Sequence, residues 1–142
     1  MRIFITLLLI SAAFSQEPKF EDVISYSIID TLAVDTVVDG YRSIPYDTKM
    51  RKIIVCFEVP GDSSSTIFDI KKVDMDTARS ILGADNYPTV VAGDNRHCVE
   101  FIPDKTIEVF EKDVLRLDVL QAATGPPKNF RIDLFVEKGI YK

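Results

Sequence analysis

Leu115, Leu117 and Val119 alternate with Arg116 and Asp118, and a few residues later Phe130, Ile132, Leu134 and Val136 alternate with Arg131, Asp133 and Glu137. A period of two sends successive side chains to opposite faces of an extended chain, whereas a helix needs its apolar residues three or four apart. This pattern restricts the chain to strands that bury one face. Between the two runs, "ATGPPK" halts any ladder, because Gly125 is free to take positive φ and two prolines lack backbone donors. The pair therefore reads as a β-hairpin with a long loop. Its charges read as the solvated face of an antiparallel sheet rather than as a catalytic carboxylate pair.

Similar runs recur upstream, separated by turn residues: "VISYSII", "LAVDTVV", "RKIIVCFEV", "STIFDIKK", "TVVA", "CVEFI" and "TIEVF". Only "MDTARSILGAD" suggests a helical turn or two, with Asp76 or Thr77 as cap and Gly83 as stop. Many short strands at this spacing indicate an all-β, antiparallel sandwich or barrel.

Residues 1–15, "MRIFITLLLISAAFS", combine an early cation, a short apolar run and small residues before Gln16, the organisation of a secretory signal peptide. A buried first strand is the alternative. The apolar run is shorter than the ~20 residues of a membrane span. The resulting plan is a signal peptide at 1–15, an N-terminal strand region or arm at 16–40, and one β-sandwich domain at 41–142. A formal net charge of −5 disfavours contact with a phosphate backbone, so nucleic acid is not an expected partner. Export implies an oxidising compartment, in which Cys56 and Cys98 either form a bridge contributing about 4 kcal/mol or stay separate as small buried hydrophobes.

Catalytic and metal motifs are weak. His97 is the single histidine, no serine lies in a G-x-S-x-G elbow, and "DMD" at 74–76 lacks the further oxygen ligands and the Gly of a calcium loop. No catalytic residue, metal ligand or cofactor is assigned. Two loops, "GADNYP" and "AGDNRH", set Asp85, Asn86, Tyr87, Asn95 and Arg96 in a combination that suits a glycan: amides and carboxylates for hydroxyls, an aromatic face for the sugar ring. The same residue types also serve turns, with Tyr87 packed locally.

The order "IPY" (44–46), "STIFDIKK", "SIL", "PTVVAGDNR" and "VFEKDVLRLDVLQAATGPPKNFRIDLFVE" resembles the small jelly-roll domains of bacteriophage tail-fibre and virion accessory proteins, over roughly Tyr41 to Glu137. Phe68, Asp69 and Ile70 match the middle strand of that pattern, Ile81 the apolar end of its excursion, and Asp113, Leu115 and Val119 its late acidic turn. One position departs: Lys112 stands where such domains usually have Gly. The resemblance implies a jelly-roll β-sandwich and a non-enzymatic structural or binding role, displayed on a virion or exported. Its expected partners are other protein subunits, homotrimers included, or a surface glycan of the host. A secreted bacterial carbohydrate-binding module is the alternative, and a hydrolase drawing two carboxylates from distant strands is a third reading.

Overall fold

The computed structural model describes residues 21–84, 86–125 and 127–139. The signal peptide expected at 1–15 lies outside the described residues, as does Asp85. Ten strands follow in chain order: β1 (Glu21–Thr31), β2 (Asp35–Ser43), β3 (Thr48–Val59), β4 (Thr66–Asp74), β5 (Thr77–Ser80), β6 (Thr89–Val90), β7 (Cys98–Phe101), β8 (Ile107–Val109), β9 (Val114–Gln121) and β10 (Lys128–Lys138). Every pairing between them is antiparallel. They make two five-stranded sheets. The first runs β1-β10-β3-β7 with β8 also on β3, and the second runs β2-β9-β4-β5 with β6 also on β4. β1 and β2 are thus outer strands of the two sheets, so the sandwich takes in much of the region 16–40.

Two of the outer positions are shared. β7 pairs with Ile53–Cys56 of β3 and β8 with Thr48–Met50, while β5 pairs with Lys71–Asp74 of β4 and β6 with Thr66–Ile67. Each couple behaves as one strand interrupted in its middle. Counted that way there are eight strands in two four-stranded sheets, the jelly-roll-like β-sandwich expected from sequence.

Two local expectations are corrected. β9 and β10 do not pair with each other: β9 lies between β2 and β4, and β10 between β1 and β3. The alternation required each run to bury one face, and that requirement is met equally by facing one another across the core as by pairing side by side. The chain therefore passes from one sheet to the other between β9 and β10. "MDTARSILGAD" is not helical either, since Thr77–Ser80 pairs back onto Lys71–Asp74 through a two-residue turn with Met75 at φ 48. Ladder bonds to β4 outweigh a weak local helix preference.

The core fills the space between the sheets. Phe130 of β10 stacks against Phe57 at 5.6 Å and against Phe68 of the opposite sheet at 5.4 Å, joining the layers around Ile70, Leu117 and Ile132. At the β1–β2 side the exposed backbone of β1 is capped by side chains. Arg42 Nε donates to Ser25 O at 3.1 Å and Asp39 Oδ2 accepts the Ser27 N–H at 2.8 Å, which blunts an edge otherwise open to strand addition. Arg42 also lies over the buried Tyr26 ring at 4.8 Å.

Turn geometry shows what the departure at Lys112 costs. Asp113 N–H donates to Phe110 O at 3.0 Å, closing a four-residue turn in which Lys112, the third residue, has φ 71. A type II turn demands positive φ there, which glycine adopts without steric cost.

Candidate functional site

The loops chosen from sequence flank β6, a strand of only two residues. Asn86 lines an open cleft of about 550 Å³, together with Leu82, Asp104, Lys105, Thr106 and Ile107. The cleft forms where the two interrupted strands break: the chain leaves β4 after β5 and leaves β3 after β7, and the two excursions face each other. Tyr87 does not stand free as a platform, because it is half-buried against the core and its carbonyl accepts the Thr89 hydroxyl at 2.9 Å. Asn95 and Arg96 are exposed but do not line the cleft. Arg96 Nε lies 3.0 Å from both oxygens of Asp94, and this partner holds the Asp94 carboxyl down to about 2. Of the proposed loop residues that are described, the structure brings Asn86 alone to this cleft. Asp104, Lys105 and Thr106 lie in "PDKT", which carries no motif; only the folded topology sets it opposite Asn86.

Cys56 and Cys98 sit directly opposite each other in register and are joined as a disulfide with Cα atoms 4.0 Å apart. The bond fastens the short outer strand β7 to β3.

The unexpected chemistry lies on the outer face of the second sheet. Asp69 and Lys71 of β4 face Asp118 and Arg116 of β9, each residue directly opposite one of like charge. Such pairs repel. The repulsion is relieved along the diagonal and along β9: Lys71 Nζ approaches Asp118 Oδ2 at 2.9 Å, and Arg116 reaches the same oxygen at 3.0 Å. Asp118 Oδ1 accepts the Val37 N–H at 3.1 Å, holding a bulge of β2 where Val37 takes φ 61. Asp69 has less support, a Ser80 hydroxyl at 2.7 Å and Lys71 at 3.9 Å.

The two carboxylates therefore separate in acidity. Burial, the largest influence on each, pushes both upward. For Asp69 it prevails and the carboxyl is raised above its ordinary value. For Asp118, bonds from Lys71, Val37 and Arg116 together outweigh it, and the carboxyl is lowered. A raised and a lowered carboxylate side by side is the arrangement of an acid–base pair. Here both are only 1% exposed, and neither borders the cleft, which lies along the β5–β8 side of the sandwich. What the arrangement does chemically is hold β2, β9, β4 and β5 together. The sequence pattern assigned Asp118 to a wet face; the structure buries it, with Lys71, Arg116 and the Val37 N–H as its partners.

The strand order and the absence of any helix among the described residues define the class: a jelly-roll-like β-sandwich. Among solved structures the chain is similar to one described as the capsid of Ralstonia phage GP4, with a TM-score of 0.54, 13% identity and 86% of each chain covered. No family model matches, and no curated protein matches.

Proposed function

We propose that this chain is a non-enzymatic structural subunit of a bacteriophage particle, working through contacts with other protein subunits. The observation that carries this reading is the fold it shares with a phage capsid chain over 86% of both lengths. Mass spectrometry of particles purified from the source culture tests it. The expected result is peptides of this chain at a fixed ratio to the shell protein across density fractions. Recovery only from the particle-free supernatant would overturn it and favour an exported protein instead.

One observation favours glycan attachment as a second reading: the cleft sets Asn86, Asp104, Lys105 and Thr106 around an apolar floor of Leu82 and Ile107. Polar groups over an apolar base suit a sugar. Binding on a glycan array that Asn86→Ala and Lys105→Ala both abolish is the result expected of it; an array with no signal removes it.

A further inference from the structure

The Cys56–Cys98 bridge lies on the outer face of the first sheet. Val55 and Phe57, the neighbours of Cys56 along β3, turn inward and are buried, so Cys56 points outward and is half-buried, while Cys98 at the start of β7 is exposed. The backbone alone brings the two opposite each other. The β3–β7 ladder runs on to Ile53 and Phe101, and Phe57 N–H donates to His97 O at 2.8 Å just beyond the pair. One row across three strands reads Arg131, Cys56, Cys98, and cross-strand partners share a face.

That row decides which sulfur a thiol can reach. In thiol–disulfide exchange the incoming thiolate lines up with the bond it breaks, on the far side from the sulfur that leaves. Attack on Cys56 would come from the β10 side, where Arg131 stands in the row. Attack on Cys98 comes from the outer side of β7, which has no strand beyond it among the described residues. From this we infer that the bridge is a redox latch worked on the folded chain: a thiol from solution enters at Cys98, Cys56 leaves, and β7 is loosened from β3 while the sandwich stays intact. The thiolate bonds to Cys98 Sγ as the Sγ–Sγ bond breaks, and the electron pair departs with Cys56 Sγ. With a dithiol, its second sulfur then displaces Cys98, so two electrons pass to the bridge and the dithiol becomes a disulfide. Closure returns two electrons and two protons to dioxygen, giving hydrogen peroxide. Exposed bridges are the labile ones, whereas those sealed in a core resist reduction. Synthesis begins in a reducing cytosol, and a released particle and an exported protein both end outside it. The latch is therefore open while the chain folds and closes once it has left.

Oxidised full chain in native buffer tests this. Brief exposure to glutathione, a quench with N-ethylmaleimide and peptide mapping are expected to find glutathione on Cys98 and maleimide on Cys56. Dithiothreitol is expected to open the bridge in native buffer within about tenfold of its rate in urea, whereas a bridge reached only through unfolding opens about 10³-fold more slowly or worse. Once open, the chain keeps its far-ultraviolet strand signal, hydrogen exchange quickens in β7 while β9 and β10 stay protected, and air restores the bridge. Glutathione chiefly on Cys56, the larger slowing in native buffer, or loss of the strand signal on opening would overturn the inference. None of these outcomes bears on the presence of the chain in particles, which the mass spectrometry above measures separately.

Discussion

Replacing Asp118 with asparagine keeps the shape of the side chain and removes its charge, leaving Lys71 and Arg116 opposite each other without their shared anion. Breaking a fully buried ion pair from one side costs about 3–5 kcal/mol. Here both cations keep a fifth or so of their side chains in solvent and can rehydrate, so the expected loss at pH 7 is smaller, about 2 kcal/mol. Asp118→Ala also strands the Val37 N–H, adding about 1 kcal/mol. Urea denaturation gives these values directly from the midpoint at constant slope. The pH dependence separates them from a packing effect. Because the folded state lowers the Asp118 carboxyl, its contribution is complete above the unfolded value of about 3.9 and is lost as pH falls through the lower folded value. The gap between wild type and Asp118→Asn should thus close on acidification. Asp69 has the opposite sign: its carboxyl is raised, so ionising it costs stability as pH rises from about 3.9 through the folded value. Asp69→Asn should therefore be neutral or stabilising at pH 7, with no advantage below about pH 4. A loss under about 0.5 kcal/mol for Asp118→Asn, or equal losses for both variants, would refute the charge arrangement described.

Lys112→Gly should raise stability by about 0.5–1 kcal/mol, read as a higher urea midpoint, because the φ of 71 in this turn strains a side chain. Gly61→Ala should lower it by about 2 kcal/mol or more, since a Cβ there meets Ala123 Cβ at 2.4 Å and φ is +91; an unchanged melting curve would contradict that loop packing. Cys98→Ser should cost about 4 kcal/mol for a span of 42 residues, and the difference from wild type should vanish in reducing agent.

The period-two runs determined by themselves that the described residues are all-β, which residues face inward, and nearly every strand, because extended geometry and burial of one face are local requirements. Leu115, Leu117, Phe130 and Ile132 were legible as core for that reason, and all four are buried. Partnership between strands was not legible. Alternation is satisfied whether two neighbouring runs pair edge to edge or face each other across a core, so β9 and β10 looked like a hairpin and belong to different sheets. The helix suggested for residues 75–85 failed on the same ground, since the ladder that overrode it comes from β4, outside the segment. The charged positions show the limit most clearly. Sequence places Arg116 and Asp118 on an outward face, but whether an outward carboxylate is wet depends on which cations the neighbouring strand sets beside it. Register between β4 and β9, fixed by burial of Phe68, Ile70, Leu117 and Val119 on the other face, brings four charges within reach of one another and seals two of them. A one-residue slip would have left them apart in water, and only the packed core forbids that slip.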